Sequence, residues 1–456
     1  MGRLFGTDGV RGIVNEFLNA ELALKLSLAI GTFFGPDSKL LIGRDARLGG
    51  ELIRNAVLAG LLSTGVKVYD AGYAPTPCIQ YNIKIGDFDG GVIITASHNP
   101  PGYNGIKVIA SNGVEISRDS EREIEDIYFN SRFRYVSWRE LIDEVPKYPG
   151  VIERYIDGVL EHVDVDLIKS KEFKVVIDPG NSVGTLPIPY FSKKLGLKTY
   201  TVNSDLNGLF PAREPEPTPE SLRETAKVVK AVNADLGVGF DGDADRAIFI
   251  DELGRVFWGD RSAAIICKYL IEVRGCKGRI YTPVSSSILI EEYLGRYPSI
   301  EIIWMKVGSV DVAHAMLKDS NVLCGFEENG GFIYPEHQYV RDSFMTLALI
   351  LEVLAREGRK LSNLFNELPR YVPLKTKVPM NREDAYKVIE RLKERYSNVK
   401  LITVDGVKAI FEDGWVLVRP SGTEPVLRIM AEAKSEERVR EIVEDVKNVI
   451  NEVLKS

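Results

Sequence analysis

The sequence predicts an α/β protein of several units that changes to an α+β style near its C-terminus. Three observations predict it. Helical and strand patterns alternate through most of the chain. The 456 residues divide into three domains of ordinary size, or four if each is near 110. The composition, 45% hydrophobic and 27% charged, suits sizeable cores under a polar surface.

Taken in order, helical spacing over residues 20–34 precedes an apolar strand at 39–44. A helix over 51–63 leads to strands at 66–69 and 91–95. The polar, Trp-containing stretch 130–150 reads as a boundary, so the first unit is 1–148. The second, 149–251, has strands at 175–178, 199–202 and 236–240. In Pro217-Thr218-Pro219, Thr218 can cap a helix whose first turn accepts Pro219. The third, 252–369, has strands near 279–282, 302–304 and 322–324 and a long helix at 345–356. The last, 370–456, brings strands 400–404, 408–411, 415–418 and 428–433 close together, as in an antiparallel sheet. Helices at 383–396 and 436–454 flank them, which is the α+β style.

Charge and composition exclude several functions. A net charge of −7 invites neither nucleic acid nor an anionic membrane, so local arginines must hold any anionic substrate. No apolar run approaches the roughly 18 residues of a membrane helix. The start, Met1-Gly2-Arg3-Leu4-Phe5-Gly6, lacks a signal-peptide core, and Gly6 stands where a myristoylation site wants Ser or Thr. Cys78, Cys267, Cys276 and Cys324 form no C-x-x-C pair and read as buried thiols in a reducing, cytoplasmic compartment.

The chemistry concentrates in a few loops. Val92-Ile93-Ile94-Thr95-Ala96-Ser97-His98-Asn99-Pro100 delivers a serine from a buried strand into a sharp turn, with Lys107 beyond Gly102 and Gly105. Alone this also fits a strand end with an Asx-type turn. Ser97 and His98 point to opposite faces if extended, which disfavours a hydrolase pair. Phosphorylation is the better use of such a serine, because the ester adds acceptor oxygens for a nearby cation. Asp241-Gly242-Asp243-Ala244-Asp245-Arg246 follows another strand. Its three alternating carboxylates suit Mg²⁺, and Arg246 suits a phosphate. An EF-hand is the rival, but its sixth position holds Arg246 instead of Gly. Serine, metal cage and phosphate clamp together imply phosphoryl transfer.

Arg419-Pro420-Ser421-Gly422-Thr423-Glu424-Pro425 offers a guanidinium fork and an anion nest, with a plain hairpin turn as the bland alternative. Gly325-Phe326-Glu327-Glu328-Asn329-Gly330-Gly331 suits sugar hydroxyls, with Glu327 and Asn329 as candidates. A glycosidase pair is disfavoured because adjacent Glu327 and Glu328 diverge. Phe5-Gly6-Thr7-Asp8-Gly9-Val10-Arg11-Gly12 ends in Arg11, a further phosphate candidate. Gly180-Asn181-Ser182-Val183-Gly184 matches a nucleophile elbow, but Pro187 and Pro189 interrupt the helix it requires.

On these residues the chain resembles the α-D-phosphohexomutase family over essentially its whole length. Residues 95–100 look like the family's phosphoserine loop, 241–246 its metal loop, 325–331 its sugar loop and 419–425 its phosphate loop. The resemblance implies four domains around a central cleft: three similar mixed α/β three-layer domains and a C-terminal α+β domain. It also implies reversible movement of phosphate between C1 and C6 of a hexose, with glucose, mannose or glucosamine phosphate as substrate. It further implies one Mg²⁺ per subunit, held by Ser97, Asp241, Asp243 and Asp245, and a hexose 1,6-bisphosphate as activator. His98 and Asn99 join Arg11, Glu327, Asn329, Arg419, Ser421, Gly422 and Thr423 around the substrate. Ser97, Lys107 and Arg246 are expected to be catalytic, with Lys107 the candidate general base, its pKa lowered by metal and Arg246. One departure stands out: some bacterial relatives have a histidine where this chain has Gly331. The expected assembly is a monomer or homodimer. The rivals are a serine hydrolase using Ser182 and a non-catalytic sugar-phosphate-binding protein.

Overall fold

Four β-sheets carry the described residues, and in three of them the last parallel strand feeds a loop that returns antiparallel. The computed structural model describes residues 4–142, 144–421 and 425–455.

The first sheet holds β1 (Val10–Ile13), β2 (Lys39–Arg44), β3 (Lys67–Tyr73), β4 (Gly90–Ile94) and β5 (Tyr103–Ala110) in the order β1-β5-β4-β2-β3. β2 pairs parallel with β3 and β4, whereas β5 runs back along β4. The second holds β6 (Lys174–Asp178), β7 (Lys198–Thr201), β8 (Leu236–Phe240), β9 (Ala247–Asp251) and β10 (Val256–Phe257) in the order β10-β9-β8-β6-β7. β6 is parallel to β7 and β8, and β9 returns along β8. The third repeats the pattern with β11 (Gly278–Pro283), β12 (Ile300–Met305), β13 (Val322–Phe326) and β14 (Phe332–Ile333). β4 and β8 are buried along their whole length, as continuous apolar runs between covering layers should be.

The fourth sheet is wholly antiparallel: β15 (Val372–Pro379), β16 (Lys400–Ile402), β17 (Val407–Phe411), β18 (Gly414–Pro420) and β19 (Val426–Ala433), ordered β15-β19-β18-β17-β16. β15 is absent from the sequence-based reading. Bounded by prolines and on an edge, it shows no strong strand signal, yet it pairs over all eight residues with β19.

Helices form where expected. Asn19 caps the helix Ala20–Phe34 by accepting from the Leu22 amide at 2.9 Å. The helix after Pro219 starts later than predicted, at Arg223, because Thr218 caps only a preceding turn through the Ser221 amide. Pro187 and Pro189 do not prevent a helix after Ser182; they begin Ile188–Leu195, where the first turn tolerates proline. The helix Ser343–Glu357 is buried on nearly all sides and capped by Asp342. It belongs to a core that runs continuously through the first three sheets. One face of the fourth sheet has its own core against the helices Arg382–Arg395 and Glu436–Lys455, while Trp415 and Leu417 of β18 join the core of the first three sheets. Among the described residues no helix is long and apolar enough to cross a membrane. Cys78, Cys267 and Cys324 are buried free thiols; Cys276 is only partly buried.

Candidate active site

The loops after β4, β8 and β13 converge. Ser97 is fully buried at the end of β4, at φ +50°, a left-handed conformation that is strained for a residue with a Cβ. Its surroundings over-determine it. Its amide donates to Thr95 Oγ1 at 2.9 Å, and Thr95 donates to Asp45 at 2.6 Å. The Arg47 guanidinium donates to the carbonyls of Ser97, Asn99, Pro100 and Tyr103, at 2.6, 2.6, 2.9 and 3.2 Å. Burial pushes the Asp45 carboxyl up to about 6 against the pull of Arg47 and Thr95. The same backbone turn folds His98 back, so its Nδ1 lies 3.4 Å from Ser97 Oγ and does not oppose it as expected for an extended chain. Burial and the charges of Arg246, Arg11 and Arg341 hold that imidazole well below its ordinary pKa, hence neutral.

Ser97 Oγ donates to Asp241 Oδ2 at 2.7 Å. Asp241, Asp243 and Asp245 are buried, and one ligand oxygen from each lies within 4.8 Å of the others. The turn that gathers them uses Ala244 at φ +57°, with Asp241 Oδ1 accepting from the Asp245 and Arg246 amides. Thr76 donates to Asp243 Oδ2 at 2.7 Å. Burial, Asp245 and Asp243 raise the Asp241 pKa far above the carboxylate range. Burial also opposes ionisation of Asp243, but Lys107 and Thr76 prevail and keep it below that range. Asp243 Oδ1 and Asp245 Oδ1 have no hydrogen-bond donor among the described residues. Buried carboxylate oxygens without donors are what a hard divalent cation satisfies, and Mg²⁺ fits this donor set.

Lys107 sits in the middle of β5, opposite Ile93 in β4, and returns to the site as expected. Burial disfavours its charge, but Asp8 at 3.0 Å, Asp243 at 3.5 Å and Asp245 at 3.8 Å outweigh burial and raise its pKa above the ordinary lysine value. Among these side chains alone the shift runs opposite to the lowering expected beside a metal and Arg246. Arg246 is likewise committed: Glu216 accepts from its Nη1 at 2.7 and 2.6 Å. Arg11 donates to Asp8 at 2.6 Å, Asn99 Oδ1 at 3.1 Å and the Ala96 carbonyl at 3.2 Å, so it does reach the serine loop.

In the third loop the two glutamates diverge. Glu327 accepts from Arg341 at 3.0 Å and Glu328 accepts from Ser285 at 2.8 Å. Asn329 Oδ1 accepts from the Gly331 amide at 3.2 Å, closing the turn. Arg419 donates from Nε to Asp405 at 2.9 Å, and the Ser421 amide donates to the Val426 carbonyl. Gly422 and Thr423 lie outside the described residues. Ser182 is no elbow nucleophile: its hydroxyl is buried and donates to the Gly242 carbonyl.

Asp8, Asp45, Arg47, Thr76, Glu216 and Arg341 were missed as site residues. Asp8 stands inside the Gly-rich opening beside Arg11, and Asp45 and Arg47 follow β2 as Ser97 follows β4, so those positions carried a signal. Arg341 carried none.

Comparison with known proteins matches this architecture unit by unit. Profiles of phosphoglucomutase/phosphomannomutase α/β/α domains I, II and III match residues 2–135, 153–254 and 258–371, and that of the C-terminal domain matches 375–449. A phosphoglucosamine/phosphogalactosamine mutase of Sulfurisphaera tokodaii is 55% identical, covering 99% of both chains. The chain belongs to the phosphoglucomutase/phosphomannomutase family. It has the family's four-domain fold, and family members are isomerases. A phosphoglucomutase/phosphomannomutase of Thermococcus kodakarensis is 43% identical, covering 100% of both chains. The solved structure of a family protein from Burkholderia thailandensis superposes with a TM-score of 0.87 at 26% identity, covering 99% of this chain and 97% of that one.

Proposed function

We propose that the chain moves phosphate reversibly between the C1 and C6 oxygens of a hexose through phosphorylated Ser97. The observation that carries this reading is the Ser97 hydroxyl, buried at a strand end and hydrogen-bonded to the first of three clustered aspartates. In the first half-reaction the substrate's free hydroxyl oxygen bonds to the seryl phosphorus and the bond from phosphorus to Ser97 Oγ breaks. The product is a hexose 1,6-bisphosphate; the same compound added from outside would restore any enzyme that has lost its phosphate. The proton of the attacking hydroxyl passes to the departing Ser97 Oγ. After reorientation Ser97 Oγ gives it up and bonds to the other phosphorus, the bond from that phosphorus to the sugar oxygen breaks, and the sugar oxygen takes the proton as the isomer leaves.

Each side chain then has a role. With Asp241, Asp243, Asp245 and a phosphoseryl oxygen as its holders, Mg²⁺ would neutralise charge on the phosphoryl group. Lys107 acts as a fixed cation beside the transferred group. His98, neutral and next to Ser97 Oγ, takes the proton of the attacking hydroxyl. Arg246 orders the metal loop through Glu216. Arg11 and the Nη edge of Arg419 receive the phosphate that is not reacting, with Asn99, Ser421, Gly422 and Thr423 around it. Glu327 and Asn329 face the sugar. The relative at 55% identity makes glucosamine and galactosamine phosphates the first substrates to try, with glucose and mannose phosphates beside them. A cytoplasmic setting suits the free thiols and the substrate class.

The test is the intact mass of freshly purified protein. A partial gain of one phosphate, discharged by excess hexose 6-phosphate, is expected. Ser97→Ala should carry none and turn over at least a thousand-fold more slowly. Asp243→Asn should lose activity and magnesium dependence together. A phosphate-free protein that only binds hexose phosphate would be the sugar-phosphate-binding rival.

A further inference from the structure

Gly331 ends the loop after β13, and the space its missing side chain would fill is occupied. A Cβ built there would lie 2.3 Å from Cδ and 2.9 Å from Cγ of Arg341. The backbone does not require glycine at this position: Gly330 has a positive φ, and Gly331 does not. What requires it is the arginine. Arg341 is buried and held at both ends. Its backbone forms a bridge with Ile333, and the next residue, Asp342, caps the buried helix Ser343–Glu357. Its guanidinium donates to Asp245 at 2.5 Å, Glu327 at 3.0 Å and Asp8 at 3.4 Å. One side chain therefore joins the N-terminal loop, the aspartate loop after β8 and the loop after β13, which come from three different sheets.

We propose that Arg341 is a positioning residue of the transfer site, setting Asp245 against Glu327, and that glycine at 331 is the condition for its presence. The proposal rests on the mutase reading above. Arg341 donates to the Asp245 oxygen that lies 3.8 Å from Lys107 Nζ, so this carboxylate is claimed by two cations before any metal arrives. Removing one of them leaves the aspartate cluster more negative. Arg341 should thus weaken Mg²⁺ binding while making transfer faster, a combination that a merely structural arginine would not give.

The experiment is a double-mutant cycle on the full chain with Gly331→Ala and Arg341→Ala, read by calorimetric titration of Mg²⁺ alone and by steady-state kinetics. Truncating Arg341 to alanine leaves only its Cβ, 3.5 Å from the added methyl and in ordinary contact. Gly331→Ala alone should lower kcat at least ten-fold by displacing the guanidinium. In the Arg341→Ala background the same methyl should cost less than two-fold. Arg341→Ala should bind Mg²⁺ at least five-fold tighter with kcat reduced. Arg341→Lys, a point charge without the fork, should fall between. Equal cost of Gly331→Ala in both backgrounds, or unchanged or weaker Mg²⁺ binding by a folded Arg341→Ala, overturns the proposal. If Arg341→Ala does not fold, Gly331→Ala still decides, since it keeps every charged group: wild-type kcat and Mg²⁺ affinity in that variant overturn the proposal. A wild-type enzyme inactive on every hexose phosphate would defeat the mutase reading instead, and the Mg²⁺ titrations would still test Arg341.

Discussion

Ser97 holds a backbone conformation that costs on the order of 1 kcal/mol or more for a residue with a Cβ, and Arg47 keeps it there through four carbonyls. The strain brings the hydroxyl and the His98 imidazole within 3.4 Å of each other. Because the His98 pKa is pushed down, the imidazole stays neutral until the pH falls below its ordinary 6.5. Protonation then removes the acceptor, so kcat should fall only on the acid side, below the usual histidine range. His98→Asn should abolish that limb and lower kcat over the whole pH range; a profile identical to wild type would rule out His98 as the proton acceptor. Much of this site was legible because its motifs are contiguous: Ser97 and His98, or the three aspartates, fall within a few residues. Arg341 was not, since its partner Asp245 lies 96 positions away and it stands in no recognisable pattern; Arg47 follows a strand end, but its partner Ser97, 50 positions away, was hidden. The direction of the Lys107 shift, opposite to the one expected, has a physical origin. Sequence places the lysine near a metal loop, but only packing reveals three carboxylates close enough to keep it charged.

Period-2 alternation shows what each face of an element does. On β17, Val407 and Ala409 face the helices of the fourth unit while Lys408 and Ile410 face the third. On β18, Val416 and Val418 face the helices while Trp415 and Leu417 face the other way. The fourth sheet is thus buried on both faces, and the second face is not simply apolar. Lys408 is fully buried between the rings of Trp304 and Trp415, 4.2 and 4.0 Å from their centroids, and donates to the Ser286 carbonyl at 2.6 Å. Burial lowers its pKa to about 7, more than Glu432 can offset. In the unfolded chain the lysine titrates at 10.5. Between these values the unfolded state binds a proton that the native state does not, so stability should rise with pH from about 7 to 10.5 and be flat in this contribution below 7. Lys408→Met should flatten that rise and add roughly 3–5 kcal/mol at neutral pH, as read by urea unfolding across the range. The strands here were legible; this polar contact under them was not, because a lysine in a strand reads as solvent-facing.

At the scale of the molecule, the loops after β4, β8 and β13 occupy equivalent places in three similar sheets. The similarity of the first three units was implied by the family resemblance; that the same strand end bears the chemistry each time required the sheet order. Arg419 tests whether the fourth unit takes part. If it grips the distal phosphate, Arg419→Ala should raise KM and lower kcat together, with a loss in kcat/KM of about 2–4 kcal/mol. Arg419→Lys should restore only part, and a change in KM alone would mean that the grip does not position the reacting hydroxyl. The fourth unit's own core has a consequence for heating. One face of the fourth sheet buries its own apolar cluster, and only the other face, through Trp415 and Leu417, joins the core of the first three sheets, so the two bodies are tied along one face and need not melt together. A calorimetric scan should resolve two endotherms, the smaller from the C-terminal body. Bound hexose phosphate, touching both, should draw them towards a single peak.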